Sequence, residues 1–132
     1  MPKPETFLPL KTNWFHILLS LAGEDQHGYG IMQEVRLRTG DKVRLWPATL
    51  YGSLKRLIEE GLIEESGERP APEFDDARRR YYRLTRLGRR VLDAESRRLL
   101  KIRMEEATLR ETFGARYDEY SRATWRLLPG LF

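Results

Sequence analysis

Apolar residues return at three- and four-residue intervals in four stretches of the chain, the spacing of one helix face. In the first, Thr12 suits a helix N-cap, and Trp14, Phe15, Leu18, Leu21 and Ala22 follow until Gly23. In the second, Gly28 and Gly30 flank Tyr29, and Ile31, Met32 and Val35 mark a face that ends before Gly40. Residues 42–46 read as a short irregular or extended link. The third begins at Pro47, whose missing N–H costs nothing in a first helical turn. Leu50, Leu54, Leu57 and Ile58 form its inward stripe, and Gly61 stops it. The period then shortens. Residues 62–65 and 80–84 read as strands, the second rich in aromatics that suit a sheet, and residues 66–77 form a charged, turn-rich loop between them. Thr85 caps the fourth helical stretch, which starts near Arg86 and runs past Leu109.

Three short helices, a hairpin and a long helix describe a mainly α fold with a small β-hairpin wing: a winged helix-turn-helix followed by a long C-terminal dimerisation helix. The expected organisation is an extended lead-in over residues 1–11, which hold three prolines, then a winged-helix unit over 12–85. The long helix occupies 86–113, and a tail of 114–132 is rich in aromatics and leucine. A winged unit of about 75 residues buries a modest core alone, so association with a second copy is expected to add to it.

Charge sharpens this picture. Net charge is +4, but from Arg78 to Arg103 the chain carries eleven Lys or Arg against Asp93 and Glu95, a local excess of +9. The basic run begins beside the hairpin, which points to a polyanionic partner; an ordinary solvated face also fits it. There is no cysteine, which excludes disulfides, thiolate metal sites and cysteine nucleophiles and suits a cytoplasmic protein. No apolar stretch is long enough to span a bilayer, and the N-terminus lacks the order of a secretory signal.

The third helix carries the candidate chemistry. At about 100° per residue, Ala48, Thr49, Gly52, Lys55, Arg56 and Glu59 fall opposite the leucines. This face is small at its start and basic further on, as entry into a DNA major groove requires. Thr49 suits a base edge or a phosphate; Lys55 and Arg56 suit phosphates. Tyr51 sits at the edge of the apolar face. A mid-helix glycine such as Gly52 costs about 1 kcal/mol against alanine; close approach of DNA and packing against the second helix both account for it. Arg78, Arg79 and Arg80, just before the second strand, are the wing residues expected to meet a phosphate backbone or minor groove.

The stretches HILLSLAGEDQHGYGIMQEV (16–35), ATLYGSLKRLIEEGLIEE (48–65) and RRRYYRLTRLGRRVL (78–92), in this order and spacing, resemble the PadR family of transcriptional regulators. The resemblance implies a winged helix-turn-helix homodimer, usually a repressor, that binds double-stranded operators of imperfect two-fold symmetry with the helix matching 48–60 in the major groove. It also implies dimerisation through the C-terminal helical part and, in many members, release by small aromatic or amphipathic effectors. The sequence departs from longer members in having only the tail beyond its long helix, and so resembles the short-tailed ones.

In that helix Leu92, Leu99, Ile102, Leu109 and Phe113 form a dimer seam broken at Glu106; packing back on the first helix of the same chain is the plainer reading. Trp14, Phe15 and Trp46 are candidates to line an effector cleft, and aromatics at helical spacing also read as simple core. An enzyme is not expected. His16 and His27 are the only histidines and read as structural, and neither a metal-ligand spacing nor a phosphate loop occurs, so neither metal nor cofactor is expected. The competing class is a winged helix that acts on a protein partner through its tail. An RNA module would expose stacking aromatics, yet Tyr81 and Tyr82 face opposite sides of their strand.

Overall fold

The computed structural model describes residues 2–66 and 80–113, with side chains through Thr108. Its elements are a 3-10 turn at Pro4–Phe7, α1 (Thr12–Gly23), β1 (Gln26–His27), α2 (Gly28–Arg38), α3 (Pro47–Glu59), β2 (Ile63–Ser66), β3 (Tyr81–Leu84) and α4 (Arg86–Phe113). Arg78, Arg79 and the tail of 114–132 lie outside the described residues.

The three short helices share one core. Phe15, Ile17, Leu18 and Leu21 of α1 meet Ile31 and Val35 of α2 and Leu50, Leu54 and Leu57 of α3, and the link contributes Val43 and Leu45. Fully burying a residue of this kind stabilises by roughly 1.5–3 kcal/mol. His16 is fully buried. The Arg38 guanidinium donates to the His16 carbonyl at 2.9 Å and the Ser20 hydroxyl at 3.1 Å, tying α2 to α1. Burial lowers the pKa of Arg38, and the Glu34 carboxylate offsets part of that effect. Between α2 and α3 the chain turns through Gly40 and Asp41, both at positive φ. Thr39 braces the turn: its hydroxyl donates to the Val35 carbonyl and accepts from the Val43 N–H.

The sheet has three strands, not the two of the expected hairpin. Its order is β1-β3-β2, all antiparallel. The added strand is two residues long, too short for any periodicity to reveal. His27 ends β1 and also caps α2, its Nδ1 accepting from the Gly30 N–H at 3.0 Å.

The junction of sheet and α4 is tight. Gly61 turns α3 into β2 at φ 78°. The Thr85 N–H donates to the Leu62 carbonyl at 3.1 Å. The Thr85 hydroxyl donates to the Gly61 carbonyl at 2.6 Å and caps α4 by accepting from the Gly88 N–H at 3.0 Å. A Cβ at Gly88 would sit 1.9 Å from the Leu62 carbonyl oxygen, so only glycine lets the two backbones meet.

Three expectations are revised. Residues 1–11 are not a plain extended lead-in: they contain the 3-10 turn, and Phe7, Leu8 and Leu10 pack against the core. Leu10 N–H donates at 2.6 Å to the carboxylate of Glu95, which is buried on α4. The N-cap of α1 is Lys11, with no side-chain cap bond, and Thr12 is already helical. Ile58 does not complete the inward stripe but stays 39% exposed, because Leu50, Leu54 and Leu57 already fill the space facing α1 and α2.

Two alanine substitutions separate the glycines. Gly88→Ala is expected to lower stability by about 1–3 kcal/mol, the usual effect of overpacking against atoms that cannot yield. Gly52→Ala is expected to raise it by about 1 kcal/mol, since a Cβ there meets nothing within 4 Å and helix propensity alone decides. Urea denaturation of both variants checks the opposite signs.

Candidate nucleic-acid interface

The leucine stripe that buries one side of α3 fixes what the other side presents. Ala48, Thr49, Gly52, Lys55 and Arg56 are all exposed there. Among the described residues nothing lies within 4 Å of a Cβ added at Gly52, so packing against α2 does not account for that glycine; the open surface above it does admit another backbone. Lys55 makes no ion pair with any described residue. Arg56 lies 3.9 Å from Glu59, one turn on, with both side chains largely in solvent. An exposed pair of this kind is worth ~1 kcal/mol or less and leaves the guanidinium free to swing to another acceptor.

Tyr51 has a partly structural role. It is 51% exposed, yet its ring lies on Gly28, where an added Cβ would meet the hydroxyl at 2.8 Å. Glycine at the start of α2 thus admits the tyrosine of α3, a contact invisible from either stretch of sequence alone.

On the sheet, Arg80 pairs with Glu65 at 3.4 Å, and Arg83 pairs with its cross-strand partner Glu64 at 2.9 Å. Among the described residues, the acids of β2 are the partners of these arginines. Tyr82 turns into the core, and burial raises the pKa of its phenol. Tyr81 faces the other side, edge-on to His27.

A cleft of about 420 Å³ separates α3 from the start of α1. Thr49, Gly52, Ser53 and Arg56 form one wall, Lys11 and Trp14 the other. The three suggested effector aromatics do not gather here. Trp14 borders this cleft, Phe15 is buried in the core, and Trp46 stands 64% exposed outside it.

Along α4, Leu87, Val91, Leu92, Glu95 and Leu99 are buried, packed on α1 and the lead-in. The expected seam residues Leu92 and Leu99 therefore belong to the chain's own core, and Ile102 is half-buried. The face that α4 leaves uncovered carries Leu100, 59% exposed, and Met104, 70% exposed. Helical spacing marks a stripe as apolar without telling an intrachain stripe from an interchain one. The side chains of Leu109 and Phe113 lie outside the described residues. No helix among the described residues is long and apolar enough to cross a membrane, and they contain no metal-binding cluster of His, Asp or Glu.

The profile of the transcriptional regulator PadR-like family matches residues 17–94. An uncharacterized protein of Lysinibacillus sphaericus is 33% identical over 95 residues, covering 67% of this chain and 84% of the relative. Among solved structures, a PadR family transcription regulator from Clostridium difficile superposes with a TM-score of 0.62 at 26% identity, covering 75% of this chain and 98% of that one. A Streptococcus mutans protein gives 0.59 at 26% identity, with 75% and 86% covered. The match takes in α2, α3, the sheet and the start of α4 together, and on it the chain belongs to the PadR-like family of transcriptional regulators.

Proposed function

We propose that the protein is a sequence-specific, double-stranded DNA-binding regulator of the cytoplasm that acts as a homodimer and represses by occupying its operator, with α3 in the major groove. The observation that carries this reading is the outer face of α3. A major groove about 12 Å wide accepts a helix, and here the helix is small where it must approach and cationic where it must be held. Thr49 stands where a base edge or phosphate is reached. Lys55 and Arg56 reach phosphates, and Gly52 lets the backbone come close. Arg78, Arg79 and Arg80 at the end of the wing loop supply further phosphate contacts, for which Arg80 exchanges its exposed pairing with Glu65.

The homodimer reading is supported by the outer face of α4. Leu100 and Met104 are one helical turn apart and exposed, with Arg97 and Lys101 alongside. This face, and not the opposite stripe of Leu92, Leu99 and Ile102, is available to a second copy. A dimer places two α3 helices on one duplex, which suits an operator of two-fold symmetry.

Fluorescence anisotropy with a labelled duplex from upstream of the coding region, against a scrambled duplex, tests the main reading. Preferential, salt-sensitive binding is expected, and equal absence of binding to both at low salt overturns it. Lys55→Ala and Arg56→Ala are each expected to weaken binding to every sequence and to reduce the slope of log affinity against log salt by about 1.8, one phosphate contact in each of the two protomers. Met104→Asp is expected to shift the mass in sedimentation toward monomer with the fold intact. Leu99→Asp is expected instead to unfold the chain, because it places a charge in the core.

A further inference from the structure

We propose that the cleft between the start of α1 and α3 is a second phosphate-binding surface, in which Lys11 and Arg56 hold the DNA backbone at the edge of the groove that α3 enters. The inference rests on the reading of α3 as the groove helix and extends the contact surface to an element that reading leaves out.

A helix with its side chains is about 10–12 Å across and so fills a groove of about 12 Å. Whatever flanks such a helix must therefore face the phosphodiester strands that border the groove. On one flank of α3 the flanking structure is the start of α1, and the cleft between them is built for an anion. Its lining carries two cations, Lys11 on one wall and Arg56 on the other, and no acid. The hydroxyls of Thr49 and Ser53 add donors, and Gly52 leaves the floor open. Thr49, Gly52 and Arg56 belong both to this cleft and to the outward face of α3, so the two surfaces are continuous.

Lys11 is also held in place. Its ammonium lies 5.4 Å over the Trp14 ring, an attraction between cation and π face that keeps it beside the cleft. The residue before it, Leu10, is anchored through its N–H to the buried Glu95 carboxylate. The cleft wall is thus fixed by α4 and does not hang on a loose terminus. Trp14 acts here as a positioning residue for Lys11.

The test is the salt dependence of binding to a labelled mixed-sequence duplex, measured by anisotropy for the wild type, Lys11→Ala and Arg56→Ala. Lys11 is exposed, so its substitution leaves the fold intact, which circular dichroism verifies. If the cleft holds a phosphate, Lys11→Ala lowers affinity several-fold and reduces the salt slope by about 1.8, one contact in each protomer of the dimer, while Lys11→Arg keeps both. Trp14→Leu, which keeps an apolar side chain but removes the π face, lowers affinity less and leaves the slope near that of the wild type. An unchanged slope in Lys11→Ala beside a reduced one in Arg56→Ala overturns the cleft and keeps α3 as the groove helix. Absence of salt-dependent binding by the wild type overturns both.

Discussion

Everything the molecule offers to a partner depends on the rotational setting of α3. Leu50, Leu54 and Leu57 lock into the space between α1 and α2, and a helix so held has no freedom to roll. The loss on rolling one leucine out is of the order of 2–3 kcal/mol, and the three move together. Tyr51 adds a second stop by lying on Gly28. With roll fixed, the polar side of α3 is a template whose pattern is set by sequence alone: small residues first, cations later.

The core that sets this template is assembled from distant segments. The turn through Gly40 and Asp41, braced by Thr39, delivers Val43 and Leu45 beneath the helices. The sheet closes the other end, with β3 in the middle bonded on both sides. Charges on the described part of the sheet are largely satisfied within it, Arg83 by Glu64 and Arg80 by Glu65. The cations of α3 are more loosely engaged, one without an ion pair among the described residues and one with a weak, exposed partner. That contrast separates a face kept for stability from one kept available.

Much of this was legible beforehand. The helices follow from apolar spacing, Pro47 and Gly61 mark the limits of α3, and Thr85 caps α4 as its sequence position implies. The outward residues of α3 are those a helical wheel gives, Ile58 excepted. What escaped has a common cause: it depends on contacts between segments far apart in sequence. Strand β1 is too short to carry a period and exists because β3 offers an unpaired edge. The lead-in reads as featureless until Glu95, 85 residues on, accepts its backbone N–H. Leu92 and Leu99 read as a free seam because spacing reveals that a stripe is apolar and is silent on what buries it. Gly88 attracts no notice in a sequence, yet it is the position with the least room of any described glycine.

The seat of Gly88 on Leu62 has a mechanical consequence. α4 is 28 residues long, about 42 Å at 1.5 Å per residue, and beside the packed Leu87, Val91 and Leu92 its base meets the Leu62 backbone directly at Gly88. A lever mounted this way translates little at its pivot and much at its tip: a tilt of about 5° over that length displaces the far end by roughly 4 Å. Because the same base is bonded to the turn that ends α3, the tilt of the lever and the aim of α3 are parts of one rigid joint. The position of the far end of α4 relative to α3 is then set by the angle at the seat.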